Sequence, residues 1–450
     1  MKLRTWLSIK LLVAGILIFV KFLQNLGKIN KAKYIFINSN SFGHSVADSI
    51  AFIEEFGVDS LVISLGTEFN HVAGTERNKY FDSCLRKNLI GIYFSELTIN
   101  KNNWRYVHPL SKRILEILRK VMNRPQIQFY EDKEFVFEKV IPNKISSALN
   151  CSSEEGKKIY KNLNICLVEG HLHFHPAGLI PAFMESKQTD LSLVNSKIKR
   201  KFLEIFESRF QRKPFVCLAI RRGKAPWHSG GDYYLELIDL LFSLGFQVAL
   251  IGDREYINEF VEKNDFTMHD NVHNLHIDKY QQKYFELLAI QKCTFVVGDQ
   301  GGVWSLVHAF NKPGLQINTS PIATLQYNVE ALPRKWIYRD SGVEMLDANI
   351  IFNSLFFNWR FNSIVNKSHG ERIIDNSIIG ESNHLIPVEH EKSFILSVVK
   401  RYACNLTYLT PLSMPKIINV NFPNNDYLRL AKNSSFSKEY LDRLIGLKNI

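Results

Sequence analysis

Short apolar runs alternate with amphipathic stretches along the chain from about residue 33. Tyr34–Asn38 has the continuous apolar pattern of a buried strand, and Val46, Ile50 and Ile53 then recur at helical spacing. Further strands are predicted at Ser60–Ser64, Leu89–Phe94 and Ile165–Val168. A further helix is predicted at Pro109–Met122. This order of strands and helices is typical of a parallel sheet covered on both faces.

The same pattern starts again after a charged helical stretch at 186–213. Strands are predicted at Phe215–Ile220, Gln247–Ile251, Thr294–Val297 and Gly314–Ile317, and helices at Asp232–Leu244, Tyr284–Cys293 and Gly302–Phe310. The chain is therefore predicted to be α/β, with Rossmann-like domains at 33–185 and 214–330 that face a cleft, and 186–213 as a helical linker. Residues 331–450 are a less regular extension with one helix predicted near Lys392–Tyr402.

Length and composition agree with two or three folded domains. The 450 residues are 46% hydrophobic and 12% aromatic, which excludes disorder for most of the chain. The six cysteines are scattered without a CxxC pair, as expected for a reduced, cytosolic protein rather than a disulfide framework.

The positive charge is concentrated at the N-terminus. Of a net charge of +12, residues 1–34 contribute seven Lys and Arg without a carboxylate, and the remainder has no basic stripe that suggests a nucleic-acid partner. The apolar run Leu11–Val20 is too short to span about 30 Å of hydrocarbon on its own. Residues 1–32 are therefore predicted to be a membrane-anchor or interfacial helix; the alternative is a buried first helix.

A basic loop follows the strand Phe215–Ile220. Arg221, Arg222 and Lys224 offer donors to a phosphate or diphosphate, and Gly223 lets the backbone approach it. The alternative is a basic loop that only faces solvent. Because ligands of open α/β sheets bind outside the carboxyl ends of the strands, this loop is a candidate binding site.

Glycines and aspartates end two other strands of this half. Asp299, Gly301 and Gly302 lie in the turn between a strand and a helix, where free amide groups attract anions. The alternative is a turn that needs glycine only for its geometry. Asp253 ends the strand Gln247–Ile251 in the same way and is a candidate contact for ribose or base.

Histidines supply two further candidates. His44 and Asp48 are four residues apart at a predicted helix start, where one can act as general base and the other can orient it; a helix-capping histidine is the alternative. His171, His173 and His175 alternate as zinc ligands on one strand would. No cysteine or carboxylate cluster stands beside them in the sequence, so acceptor contacts or ordinary loop histidines are preferred and no metal is expected.

The segment from Phe295 to Asn318 resembles the donor-site strand, turn and helix of GT-B glycosyltransferases, especially the heptosyltransferase-like group. Asp299, Gly301 and Lys312-Pro313 match that pattern, and Trp304 takes the place of the group's histidine. The run Ile220–Gly223 is similar to the I-R-R-G of fucosyltransferases, with Lys224 where an aspartate is usual. With the first-half loop Phe42-Gly43-His44, the chain most resembles poorly characterised bacterial glycosyltransferases of GT-B type.

The resemblance implies sugar transfer from a nucleotide-sugar donor to a glycan or lipid-linked acceptor. It implies no metal or cofactor, a donor domain at 214–330 and an acceptor domain at 33–185. Arg221, Arg222, Lys224, Asp299, Gly301 and Gly302 would then bind the diphosphate, Asp253 the nucleotide, and His44 or Asp48 the acceptor. A place at the cytoplasmic face of the inner membrane, in polysaccharide biosynthesis, is expected. The alternatives are a sugar-nucleotide epimerase and a non-catalytic carbohydrate-binding protein.

Overall fold

The structure of the chain is a computed structural model that describes part of the sequence. The described residues are 16, 20, 23–24, 34–37, 62–66, 89–93, 128–131, 142–143, 146–147, 150–158, 200–210, 213–221, 231, 233–266, 269–275, 282–319, 329–338, 340–344, 385–406, 435–437, 439–440 and 442–443. Among them, no helix has both the length and the apolar character that crossing a membrane requires.

The chain divides into two compact units. One contains Met1–Val140 and Lys187–Lys197, and the other contains Ile141–Ser186 and Ile198–Ile450. The division of the sequence at 186–213 stays a prediction, and so does the cleft between two domains.

The first unit contains a four-stranded parallel sheet. Its strands are β1 (Tyr34–Ile37), β2 (Val62–Gly66), β3 (Leu89–Tyr93) and β4 (Gln128–Glu131). Their order is β3-β2-β1-β4, and every pairing is parallel. The sheet reverses its strand order next to β1, because β2 and β4 lie on its two sides. The predicted parallel sheet is confirmed here, although β2 begins two residues later than predicted and β4 was not predicted. The predicted helix Pro109–Met122 and strand Ile165–Val168 lie outside the described residues.

The second unit contains a seven-stranded parallel sheet. Its strands are β5 (Phe215–Ile220), β6 (Gln247–Gly252), β7 (Val272–Asn274), β8 (Val296–Asp299), β9 (Gly314–Thr319), β10 (Val329–Pro333) and β13 (Ser435–Phe436), and a small antiparallel pair is formed by β11 (Lys335–Tyr338) and β12 (Leu385–Val388). The sheet order is β13-β10-β9-β8-β5-β6-β7. From β5 the sheet extends through β6 to β7 on one side, and from β8 it extends through β9 to β10 on the other side. The strand order therefore reverses between β5 and β8.

Helices connect these strands. They are α1 (Arg200–Phe210), α2 (Tyr234–Ser243), α3 (Arg254–Lys263), α4 (Gln282–Lys292), α5 (Trp304–Ala309) and α6 (Lys392–Asn405). Helix α2 packs against β6 and α6, and α1 packs against α4. All residues of β5, β8 and β9 are buried, and β5 is accordingly a continuous apolar run.

The sequence prediction holds closely for this second unit. Strand β5 has the predicted bounds, and α6 begins at the predicted Lys392 and extends to Asn405. Helix α3 and strands β7, β10, β11, β12 and β13 were not predicted. In α3 the buried residues Ile257, Phe260 and Val261 have helical spacing, so the sequence contained that signal.

Candidate functional site

Two glycines let the neighbouring strands approach the end of β5. A Cβ atom on Gly252 would lie 2.2 Å from the carbonyl oxygen of Ile220, and one on Gly298 would lie 2.2 Å from that of Ala219. Both glycines have positive φ, +121° and +135°, which other residues rarely adopt. Strands β6 and β8 therefore end in the same way on both sides of β5, and each delivers an aspartate to the carboxyl edge of the sheet.

The first of these aspartates, Asp253, caps a helix. Its amide donates to the Ile220 carbonyl at 3.0 Å, and its carboxylate accepts from the amide of Tyr256 at 3.3 Å. This is a normal N-cap for α3. The structure places Asp253 at the edge where a nucleotide contact was predicted, and that contact stays a prediction.

The second aspartate, Asp299, is buried and held by two adjacent tyrosines. Its side chain is 1% exposed. The Tyr233 hydroxyl donates to Oδ1 at 2.6 Å, and the Tyr234 hydroxyl donates to Oδ2. Burial raises the pKa of Asp299 well above its ordinary value, whereas the Tyr233 hydrogen bond and the charges of Arg334 and Arg221 lower it. Both carboxyl oxygens are thus engaged inside the protein.

Arg221 lies between the two aspartates. Its amide donates to the Tyr234 hydroxyl at 3.4 Å. Its side chain runs across the turn after β8, because a Cβ on Gly301 would lie 3.1 Å from both Cδ and Nη1 of the arginine. Burial lowers the pKa of Arg221, and the charges of Asp253 and Asp299 raise it. An arginine remains charged under these conditions.

The guanidinium of Arg221 is the candidate ligand-binding group of this edge. Within the described residues it has no hydrogen bond and no ion pair within 4.0 Å, although Asp253 and Asp299 act on it electrostatically. A partly buried cation with open donors is costly unless an anion meets it. It also lies where β5 and β8 reverse the sheet order, which is where open α/β sheets bind ligands.

Trp304 supports the turn from inside. Its indole nitrogen donates to the backbone carbonyl of Asp299 at 2.7 Å. Its ring faces Gly314 of β9, where a Cβ would lie 2.6 Å from the ring atom Cζ3. The side chain is fully buried, so the residue that replaces the histidine of the heptosyltransferase pattern is part of the core. Gly301 and Gly302 begin the helical turns, since their carbonyls accept from the amides of Trp304 and Ser305, each at 3.2 Å.

The sequence interpretation missed Arg334, which follows β10. Its Nε donates to the Asn318 carbonyl at 3.4 Å, and its guanidinium lies 3.6 Å from Glu389. Burial lowers the pKa of Arg334, and the charge of Asp299 is among those that raise it. The sequence feature that could have indicated Arg334 is a basic residue directly after a short strand. The carboxyl ends of β10, β8, β5 and β6 thus carry basic and acidic residues in turn, with β9 lying between β10 and β8.

Four predicted site residues lie outside the described residues: His44, Asp48, Arg222 and Lys224. The same holds for His171, His173 and His175. The structure brings together Arg221, Asp253, Asp299, Gly301 and Gly302 at one edge of one sheet. In the part of the chain that the structure describes, no group of three or more His, Cys, Asp or Glu is placed to hold a metal ion.

No protein-family model matches the chain, and neither does any curated protein. Solved structures similar to it include the E. coli ADP-heptose lps heptosyltransferase II, at 14% identity over 67% of this chain and 90% of that chain, with a TM-score of 0.39. A glycosyl transferase family 9 protein from Veillonella parvula DSM 2008 shares 11% identity over 67% and 86%, with a TM-score of 0.38.

A third similar structure is an epimerase. The UDP-GlcNAc 2-epimerase from Methanocaldococcus jannaschii shares 11% identity over 67% of this chain and 88% of that chain, with a TM-score of 0.36. The neighbours thus include the heptosyltransferases that the sequence resemblance named. Both transferases and an epimerase occur among them.

Proposed function

We propose that this protein is a glycosyltransferase that binds a nucleotide-sugar donor at the carboxyl edge of the seven-stranded sheet. The observation that carries the proposal is the partly buried guanidinium of Arg221, whose donors are open among the described residues and lie across Gly301. A diphosphate is the natural ligand for such a group, because a guanidinium donates two parallel hydrogen bonds to phosphate oxygens.

The chemistry follows from where charge develops. When the bond between the sugar and the diphosphate breaks, negative charge builds up on the departing phosphate oxygen. Donors already aimed at that oxygen lower the barrier without reorganising. Arg221 has this role in the proposal, and Arg222 and Lys224 of the same loop are proposed to add charge around the diphosphate. No metal is required in this scheme.

The nucleoside and the acceptor are assigned to different predicted residues. In Rossmann-like sheets the ribose lies toward the second strand, which here is β6, ending before Asp253. Asp253 is proposed to contact the ribose or base. His44 or Asp48 of the first unit is proposed to take the proton from the acceptor hydroxyl as the new glycosidic bond forms.

A membrane-bound acceptor is favoured by the N-terminal segment. Ile16, Val20 and Leu23 are helical, recur at i, i+4 and i+7, and are 53%, 40% and 48% exposed. Residues 1–34 carry seven basic residues and no carboxylate. An apolar stripe with this charge suits the surface of an anionic membrane. We propose that the segment holds the enzyme at the cytoplasmic face, where lipid-linked sugar acceptors are built.

The membrane proposal has its own test. The full chain is mixed with vesicles of phosphatidylcholine alone or with a third of phosphatidylglycerol, and bound protein is measured by sedimentation. The proposal expects binding to the anionic vesicles and a clear loss in Val20→Glu. Equal binding of the wild type and Val20→Glu would overturn it.

The activity is tested by incubating the purified protein with UDP-, GDP-, ADP- and dTDP-sugars, with and without bacterial membrane lipids. The proposal expects release of one nucleoside diphosphate that depends on the acceptor, and loss of this release in Arg221→Ala. Conversion of the donor into another nucleotide sugar without an acceptor would instead identify an epimerase. Donor binding without any product would identify a non-catalytic binding protein.

A further inference from the structure

The end of β5 is connected to the end of β8 by a chain of hydrogen bonds. The Arg221 amide donates to the Tyr234 hydroxyl at 3.4 Å, and that hydroxyl donates to Oδ2 of Asp299. Tyr234 thus joins two strand ends that lie 78 positions apart in the chain. The neighbouring Tyr233 occupies the other carboxyl oxygen of Asp299.

This chain of bonds lies underneath the proposed diphosphate site and not in it. Tyr233 and Tyr234 are at most 1% exposed, and so is Asp299. Both oxygens of the carboxyl accept from tyrosines, and the burial of Asp299 leaves no surface at which a ligand can reach them. The partly buried Arg221, by contrast, has open donors among the described residues.

The contacts around the tyrosines show how closely the Arg221 backbone is fixed. A Cβ on Gly231 would lie 2.8 Å from the ring of Tyr234, so the backbone of Gly231 packs directly against that ring. On the other side the Asp299 carbonyl is held by the indole of Trp304 at 2.7 Å. The hydroxyl of Tyr234 is therefore held between two fixed strand ends.

We infer that Tyr234 and Asp299 are positioning residues that set the orientation of Arg221 toward the donor diphosphate. This inference rests on the proposed function. It changes the role of Asp299, which was predicted to bind the diphosphate and which here acts on the ligand only through Tyr234 and Arg221. Preorganised donors bind more tightly than donors that must first be ordered, so loosening this chain of bonds weakens nucleotide binding.

A double-mutant cycle tests the inference, because residues that act through a shared partner are not additive. The affinity of the full chain for the nucleoside diphosphate that it binds best, chosen from UDP, GDP and ADP, is measured by calorimetry. The variants are Tyr234→Phe, Asp299→Asn and Arg221→Ala, together with each of the first two combined with Arg221→Ala. Tyr234→Phe keeps the ring and is the mildest of them.

The control is Tyr402→Phe. Tyr402 is also buried, and its ring contacts Phe295 at the amino end of β8, with 5.5 Å between ring centroids. Tyr402→Phe removes the hydroxyl of another buried tyrosine, one that lies beside the opposite end of the same strand. A merely structural effect of losing a tyrosine hydroxyl would weaken nucleotide binding in this control as well.

The inference expects Tyr234→Phe and Asp299→Asn each to weaken nucleotide binding roughly tenfold, the effect of one lost hydrogen bond. It expects no further weakening when either change is added to Arg221→Ala, and no change in Tyr402→Phe. Equal weakening with and without Arg221, or unchanged affinity in Tyr234→Phe, would overturn the inference alone. Absence of any nucleotide binding by the wild type would overturn the proposed function and this inference with it.

Discussion

The side chain of Arg221 lies directly across Gly301, with Cδ and Nη1 each 3.1 Å from the place where a Cβ on that glycine would stand. The two residues follow β5 and β8, the strands between which the sheet order reverses. The glycine therefore shapes the site by leaving room for the arginine, in addition to any contact that its amide makes with a ligand.

Gly301→Ala is expected to weaken nucleotide binding about three- to tenfold with little loss of stability. The added methyl pushes the arginine by a few tenths of an ångström, and charged hydrogen bonds depend steeply on geometry. Calorimetry with nucleoside diphosphates measures the effect. Gly245→Ala is the control for binding, since a Cβ there meets nothing within 4 Å; its φ of +86° makes the change cost stability without altering the site. If both variants bind nucleotide like the wild type, Gly301 does not set the arginine's position.

Gly298→Ala is expected to destabilise the fold strongly. The new Cβ would lie 2.2 Å from the Ala219 carbonyl oxygen, and φ at this position is +135°. The strands have to separate, so a loss of about 3 kcal/mol or more in the free energy of unfolding is expected. Gly342→Ala also has a positive φ but meets no atom within 4 Å, and is expected to lose only about 1 kcal/mol. Urea unfolding measures the free energy of unfolding of both variants. Similar losses of stability in Gly298→Ala and Gly342→Ala would contradict the prediction.

Arg401→Met is expected to detach the C-terminal elements from the sheet. Arg401 on α6 bonds Glu330 of β10, which is 3% exposed, with Nη1 at 2.9 Å, and bonds Glu439 with Nε at 2.7 Å. Removing one partner of a buried ion pair leaves an uncompensated charge and costs about 3–5 kcal/mol.

The matched control is Lys292→Met, which breaks the exposed pair with Glu207 at 2.8 Å. Pairs of this kind contribute about 0–1 kcal/mol. Thermal and urea unfolding measure both changes. A loss in Arg401→Met no larger than in Lys292→Met would show that the buried cluster does not hold α6 in place.

His308 is expected to make the protein less stable in acid. It is 1% exposed, and neither ring nitrogen has a hydrogen-bond partner in the described part of the chain. Burial lowers the pKa of His308 to about 4. The unfolded chain therefore takes up a proton first, and the stabilisation present above pH of about 6.5 is lost as the pH falls toward 4.

The variants His308→Leu and His308→Gln remove this titration. Each is expected to lose less stability than the wild type between pH 7 and pH 5, by on the order of 2 kcal/mol. The glutamine variant separates the loss of titration from the gain of an apolar side chain. Urea unfolding at both pH values is the measurement, and an unchanged pH dependence in both variants would contradict the lowered pKa.

Much of the second unit was predictable because its strands are buried on both faces. Strand β5 stands out as six consecutive apolar residues, and a glycine-aspartate pair marks the end of β6 and the end of β8. Shorter or more polar strands lack such a continuous apolar run and are harder to recognise in the sequence. Strand β7 has three residues, and β10 includes Glu330 and Pro333, so Arg334 was not recognised as a residue at the same edge.

The partners of Asp299 were not predictable from the sequence pattern. Tyr233 and Tyr234 lie 66 and 65 positions before it, and they meet it only because β8 lies beside β5 in the sheet. In a sequence, two adjacent tyrosines at the start of a helix indicate only ordinary core residues. The carboxyl edge was predictable as a site from strand order and glycines, whereas the division between ligand-facing and supporting residues depends on burial.

The central claim is that Arg221 binds the diphosphate of a nucleotide sugar. Its most direct test is calorimetry of UDP, GDP and ADP with the wild type, Arg221→Ala and Lys213→Ala in metal-free buffer. Lys213 is exposed just before the other end of β5, so it controls for the loss of one positive charge beside the same strand. We predict that one nucleotide binds the wild type, that Lys213→Ala binds it equally well, and that Arg221→Ala binds it at least about tenfold more weakly. Equal affinity of Arg221→Ala and the wild type would contradict the claim.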